Sequence, residues 1–401
     1  MGLNETPKGE RIHIGIFGRT NSGKSSIINA ITGQGISIVS EISGTTTDPV
    51  EKTMELLPLG PVVLIDTAGL DDESELGQMR MERTNKVLNR TDLALIVLEA
   101  GAGRTDEDER IIGLIRERNI PHIMVYNKVD LASRAVRERL KEESGKNTIT
   151  VSSNTLENIH ELKELMASLM QTGQNKKRLL GDLISPKDLI ILVIPVDSAA
   201  PKGRLILPQQ QVIRDILDSR AQALMVQVEE LKEALESLNR KPSLVITDSQ
   251  AFNEVKRIVP EDIPLTSFSI LLARYKGNLK EAVRGASALD ELKENSRILI
   301  SEGCTHHKQC DDIGTVKLPR WIRSYTGKEF VFEHSNGMEF SGDKGKYDLV
   351  IHCGGCMLNE KEMQSRINST LGTGTPITNY GILIAHMNGI LERSIRPLRD
   401  L

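Results

Sequence analysis

Aromatic residues are scarce in this 401-residue chain, at 3%, and Trp321 is the single tryptophan. Base-stacking surfaces need aromatic platforms, so that kind of nucleic-acid binding is disfavoured. No apolar run approaches the ~18–20 residues of a membrane helix. The N-terminal stretch MGLNETPKGERIHIGIFG lacks the apolar core of a secretory signal, so the chain reads as cytoplasmic. Charge is nearly balanced, at net −4, which gives no global basic field for nucleic acid. Neither a membrane nor a nucleic acid is therefore expected as a partner. Cysteine is sparse too: there are four, all between Cys304 and Cys356. In a reducing compartment, such clustering points to metal or redox chemistry more than to disulfides. What remains is an ordinary globular composition, 26% charged and 39% hydrophobic. At ~100–200 residues per domain, the length suits two or three domains.

The fold class expected is α/β, in three blocks, with no internal repeat of fixed period. The first block, 1–170, alternates apolar strands with helical segments. Arg11–Phe17, Val62–Asp66, Leu93–Leu98 and His122–Tyr126 are its strands, and a helix opens at Lys24. That alternation predicts a doubly wound, mostly parallel sheet. A polar linker is expected over 171–185. A smaller α/β domain follows at 186–262, with strands at Leu189–Val196 and Leu244–Thr247 and helices at Gln209–Arg220 and Val228–Asn239. Its apolar stripes read as core, with self-association as the functional alternative. A second small α/β domain is expected at 263–401, with strands at Arg297–Ser301, Glu329–Glu333 and Asp348–Ile351. It holds every cysteine.

Gly18–Arg–Thr–Asn–Ser–Gly23–Lys24–Ser25 fits G-x-x-x-x-G-K-[ST], between a predicted strand and a predicted helix. Its glycines let backbone N–H groups, Ser22 and Ser26 among them, curl round phosphate oxygens at a helix N-terminus. Lys24 is expected on the β- and γ-phosphates and Ser25 on Mg²⁺. Asp66–Thr–Ala–Gly69 ends an apolar strand. Asp66 is expected to hold Mg²⁺ through water, and the Gly69 N–H to sense the γ-phosphate. Asn127–Lys128–Val–Asp130 ends another strand. A carboxylate at Asp130 can accept from guanine N1–H and the exocyclic amine, which adenine does not match. Such sites discriminate by roughly 10⁴-fold or more. Ser152 and Ser153 fall where a loop would reach guanine O6. The set points to GTP.

These motifs resemble the TrmE–Era group of translation-factor-like GTPases over roughly the first 165 residues. The resemblance implies a switch segment at Gly44–Asp48, with Thr46 sensing Mg²⁺. It also implies a K⁺ at Asn21, which would stabilise transition-state charge; otherwise Asn21 only braces the loop. Leu70 follows Gly69, where Ras-like proteins carry a water-orienting glutamine. Leucine cannot orient water, so Glu73 and Glu75 are candidates, unless that acidic run is merely solvated. Slow intrinsic turnover is expected.

Cys304–Thr–His306 and His352–Cys353–Gly–Gly–Cys356 each follow a predicted strand. Loops at strand C-termini share one edge of an open sheet, so the two segments can converge. Three readings of the residues compete: tetrahedral zinc, a redox dithiol, and an iron–sulfur cluster on three cysteines. A GTPase domain followed by C-x-H and H-C-x-x-C resembles the HydF family of [FeFe]-hydrogenase maturation GTPases. The PKGRLILP and PITNYG segments resemble it as well. The resemblance implies a [4Fe–4S] cluster on Cys304, Cys353 and Cys356, and a middle dimerisation domain. It also implies a carrier role: a CO- and CN⁻-bearing diiron precursor, made with the radical-SAM enzymes HydE and HydG, passes to apo-[FeFe]-hydrogenase. A homodimer is expected, with a tetramer as the alternative. His306 and His352 are candidate fourth ligands, with Glu302, Asp311 and Asp312 as rivals; Cys310 and His307 read as bystanders. Two other functions stay open: a tRNA- or ribosome-associated GTPase with a structural zinc module, and a switch whose cluster state gates hydrolysis.

Overall fold

The computed structural model describes residues 6–33, 50–67, 77–142, 145–172, 177–195, 205–303, 312–337, 340 and 342–398. It forms two compact units, Met1–Asn175 and Lys176–Leu401.

The first unit runs β1 (Ile12–Phe17), α1 (Lys24–Thr32), β2 (Val50–Leu56), β3 (Gly60–Asp66), α2 (Gly77–Leu88), β4 (Leu93–Glu99), α3 (Asp106–Glu117), β5 (His122–Asn127), α4 (Arg134–Glu142), β6 (Thr148–Thr150) and α5 (Ile159–Thr172). Its sheet has the order β2-β3-β1-β4-β5-β6. Strands β1, β3, β4 and β5 read as unbroken apolar runs because helices cover both faces. The edge strand β2 is half-exposed and alternates, and it alone pairs antiparallel. Register aligns the functional ends: Ile16 lies beside Asp66, and Glu99 beside Asn127. Helix α3 is held by a capping box between Thr105 and Asp108.

The second unit has two four-stranded parallel sheets. The first comes from β7 (Leu189–Val193), α6 (Leu207–Asp218), β8 (Gln222–Val226), α7 (Leu231–Ser237), β9 (Leu244–Thr247), α8 (Phe252–Ile258), β10 (Leu265–Ser267) and α9 (Phe268–Lys276). Helix α10 (Leu279–Ser287) leads to β11 (Arg297–Glu302), α11 (Leu318–Thr326), β12 (Val331–Asn336), β13 (Leu349–His352), α12 (Glu360–Leu371), β14 (Ile377–Asn379), α13 (Tyr380–Met387) and α14 (Leu391–Ile395). Strand β10, at 265–267, completes the first of these sheets from beyond residue 262.

The two sheets are copies of one design. One has the order β10-β9-β7-β8, and the other, read from the same edge, β14-β13-β11-β12. The registers match as well. Ile190 lies beside Leu244 and Ala223, as Ile298 lies beside Leu349 and Phe332. Val245 lies beside Leu265, as Val350 lies beside Ile377. The sequences Pro264-Leu-Thr-Ser-Phe-Ser-Ile-Leu-Leu-Ala273 and Pro376-Ile-Thr-Asn-Tyr-Gly-Ile-Leu-Ile-Ala385 occupy the same place. In each, the residue after Thr caps the next helix: Ser267 accepts from the Ile270 N–H, and Asn379 from the Ile382 N–H. Connections of different length hide the duplication from any search at fixed period. One apolar core runs through both copies.

Helix α10 approaches β14 closely because position 285 is glycine. A Cβ there would lie 2.0 Å from the Ile377 carbonyl oxygen. Gly285→Ala must push the helix off the edge strand, and overpacking of this kind costs about 1–3 kcal/mol. Chemical denaturation should show the second unit weakened by that amount. An unchanged midpoint would mean the helix packs less closely in solution.

Candidate functional site

The phosphate loop joins β1 to α1, and its backbone dictates two of its residues. Gly18 has φ 143°, and a Cβ there would lie 2.2 Å from the Val97 carbonyl oxygen. Gly23 has φ 94°, and a Cβ there would lie 2.2 Å from Asn127 Nδ2. Left-handed backbone with no room for a side chain selects glycine at both. The Lys24 ammonium is buried inside the loop and donates to the carbonyls of Gly18 (2.5 Å) and Arg19 (3.0 Å). Ser25 Oγ donates to Asp66 Oδ2 at 3.2 Å, which joins the two groups expected near magnesium. Ser26 is exposed beside it. Among the described residues, the buried Ser22 hydroxyl has no hydrogen-bond partner. Asn21 is exposed, with φ 63°.

Asn127 serves the loops rather than reaching outward. It is fully buried; its Nδ2 donates to Ser22 O (3.2 Å), and its Oδ1 accepts from the Ser153 N–H (3.1 Å). One side chain therefore binds the phosphate loop to the loop after β6. Lys128 has φ 61°, and its Nζ pairs with Glu99 at 2.9 Å. Asp130 is half-buried on the single turn Val129–Leu131. Ser152 is buried, and its hydroxyl accepts from the Thr155 N–H at 3.0 Å. Two supports were not visible in the sequence. Thr67 Oγ1 donates to Ile16 O at 2.5 Å, pinning the residue after Asp66. The Arg19 guanidinium pairs at 3.2 Å with Asp108, which is buried at the start of α3. Thr46, Gly69, Glu73 and Glu75 lie outside the described residues.

In the second unit, the C-terminal ends of β11 and β13 meet. Gly303, immediately before Cys304, donates its N–H to Cys353 Sγ at 3.1 Å, and Gly355 donates to the same sulfur at 3.4 Å. Amides aimed at a thiolate sulfur suit a cysteine that carries charge or ligates metal. Cys353 and Cys356 are both half-buried. Cys304, His306, His307, Cys310 and Asp311 lie outside the described residues. Among the described residues, no group of three or more His, Cys, Asp or Glu side chains is gathered for a metal. The two described thiols, with a third cysteine covalently next to Gly303, fit a soft iron–sulfur or zinc donor set.

His352 is wholly buried, and both ring nitrogens are occupied. Nδ1 lies 2.8 Å from the Cys353 carbonyl oxygen, and Nε2 lies 3.2 Å from the Arg366 guanidinium. Burial, then the Arg366 charge, hold its pKa down at about 3, so the ring is neutral and accepts from Arg366. Arg366, itself buried, also donates to Gly337 O (2.6 Å) and Glu362 Oε1 (2.7 Å). Glu302 is buried and accepts from the Tyr380 hydroxyl at 3.2 Å. Burial, then the neighbouring Cys353, push the Tyr380 phenol well up, so it stays a donor. Asp312 accepts from the Thr315 N–H (2.9 Å) and caps the turn Ile313–Lys317.

Among the described residues, no helix is long and apolar enough to cross a membrane. Three family models match the chain: "50S ribosome-binding GTPase" over 13–128, "Hydrogen maturase F dimerization domain" over 179–277, and "Hydrogen maturase F tetramerization domain" over 280–397. GTPase Der of Wolinella succinogenes is 37% identical over 198 residues, which are 47% of this chain and 41% of that protein. The tRNA modification GTPase MnmE of Aquifex aeolicus is 37% identical over 166 residues, 41% of this chain and 36% of that protein. The chain thus spans about two fifths of the length of these curated relatives. Among solved structures, Aquifex aeolicus Era bound to GDP and AlF4⁻ is 20% identical, with a TM-score of 0.34, over 54% of this chain and 92% of that one. The first unit is a GTPase domain by its family model and its curated relatives, and the second carries two domains named for assembly. With two hydrogen maturase F models in tandem over more than half its length, behind a GTPase domain, the chain belongs to the HydF family.

Proposed function

We propose that the chain is a GTP-hydrolysing scaffold and carrier of [FeFe]-hydrogenase maturation, with a [4Fe–4S] cluster on Cys304, Cys353 and Cys356. The observation that carries the cluster reading is the Cys353 sulfur facing two backbone N–H groups, one of them next to Cys304. Its cargo is a diiron unit bearing CO and CN⁻, received with HydE and HydG as partners and delivered to apo-hydrogenase. GTP and Mg²⁺ bind the first unit through Lys24, Ser25 and Asp66, with Thr46 and Gly69 as switch contacts. K⁺ at Asn21 supplies transition-state charge, and Glu73 or Glu75 orients the water. The γ-phosphate biases partner contacts, because a ligand shifts an equilibrium only by its differential affinity. The assembly takes place in the cytoplasm. The open edge at β8, where Met225 is 53% exposed and Leu217 on the adjoining helix 65%, is the surface we assign to the homodimer.

Anaerobic reconstitution with iron and sulfide tests the cluster. About four irons per chain are expected for a [4Fe–4S] site. Reduction should give an EPR signal, and Cys353→Ala should abolish both iron and signal. One tight zinc with no cluster would instead favour the structural-zinc, RNA-associated reading.

A further inference from the structure

The duplicated design shows something the cysteine loop does not show alone. By register, Thr247 of the first copy corresponds to His352 of the second. The loop Asp248–Ala251 therefore occupies the place of Cys353–Cys356, and only one copy carries cysteines. Helices α9 and α13 correspond in the same way, so Lys276 stands where the second copy has Asn388. The two residues behave differently. Asn388 is half-buried and turns back on its own helix, donating to Ile384 O at 2.8 Å. Lys276 is 1% exposed and leaves its copy. Its ammonium reaches the cysteine loop of the other copy, 2.9 Å from Leu358 O and 3.4 Å from Cys356 O.

A buried ammonium is costly unless its surroundings compensate it. The helix end that bears it is itself fastened: Gln364 of α12 donates to the carbonyls of Lys276 (3.1 Å) and Gly277 (2.9 Å). The cation therefore has a fixed position under the loop.

We infer that Lys276 is a positioning residue for the metal loop: supplied by the first copy, it holds the Cys356–Leu358 backbone and sets the charge balance of whatever Cys353 and Cys356 bind. The inference rests on the cluster reading above. A fixed positive charge beside a cluster favours the reduced, more negative state. Its removal should lower the midpoint potential.

The test is an EPR-monitored redox titration of the reconstituted full-length protein, with iron measured per chain. Lys276→Met should load iron and shift the reduction equilibrium at least tenfold toward the oxidised form, which is 59 mV for one electron. Lys276→Arg, which keeps the charge, should stay close to the parent. A fully loaded Lys276→Met with an unshifted midpoint would overturn the inference and leave the cluster intact. If Lys276→Met does not load, Lys276→Gln makes the same comparison, because it keeps a donor for Leu358 without the charge. Gln loaded and unshifted overturns the inference; Gln unloaded while Arg loads supports it. Failure of all three variants to load makes the role one of packing and overturns it. A parent protein that takes up no cluster defeats the cluster reading itself, and this outcome is distinct from all the others.

Discussion

Asp130→Asn should transfer the base preference of the GTPase unit from guanine to xanthine. Asp130 sits half-buried on the turn Val129–Leu131 after β5, which the left-handed Lys128 opens. Guanine offers two donors on one edge, N1–H and the exocyclic amine, and a carboxylate accepts both. A carboxamide keeps one acceptor and replaces the other with a donor. That donor opposes the guanine amine but matches the carbonyl that xanthine carries there. Mismatch at a built polar site costs roughly 10⁴-fold in affinity. GTP affinity should fall by about that factor, and XTP affinity should rise. Thermal stability without nucleotide should hardly change, since Asp130 lies outside the buried core. Titration with labelled GTP and XTP checks both. GTP affinity within tenfold of the parent would show that the base is read elsewhere.

Asn127, three residues away, belongs to a different class. Local pattern marks Asn127 and Asp130 as one motif, and both were expected at the nucleotide. In the fold, Asn127 has both polar atoms committed to protein loops. A sequence pattern shows which residue types recur together but not the partner each takes across the chain. Glycine positions were more legible. Gly18 and Gly23 were expected from phosphate-loop chemistry, and each has a backbone that only glycine suits. The apolar strands β1, β3, β4 and β5 were legible for a similar reason: strands buried on both faces write themselves as unbroken runs. Strand β2 was not, because a half-exposed edge strand such as VEKTMEL carries little signal. The duplication in the second unit was also hidden. Its two copies share the short Pro–Thr–Ile–Leu–Ala framework, while most other positions differ. Lys276 and Arg366 gave no signal at all. Each acts on a loop distant in sequence, and a buried basic residue looks like any surface one until the fold is known.

Arg366→Met should cost the second unit about 3–5 kcal/mol, the range seen when one partner of a buried charged network is removed. Arg366 is the hub under β13. It donates to His352, Gly337 and Glu362, and it lies over the Phe340 ring at 5.1 Å. Methionine fills much of the volume but leaves the Glu362 carboxylate, the Gly337 carbonyl and the His352 nitrogen without their donor. The same substitution separates two roles for His352. If His352 were the fourth cluster ligand, freeing its Nε2 would leave iron loading intact or improve it. His352→Gln would then change the EPR line shape. If His352 instead locks the strand end ahead of Cys353, its effect lies in the protein without metal. Arg366→Met and His352→Gln should then each destabilise the apo second unit. The double variant should lose less than the sum, with a coupling of about 0.5–3 kcal/mol, as residues in one network show. Denaturation of the four apo proteins supplies that coupling, and EPR of the four loaded proteins supplies the spectrum. Strong apo coupling with an unchanged line shape assigns His352 to the scaffold. Additive apo effects with an altered line shape would return it to the iron.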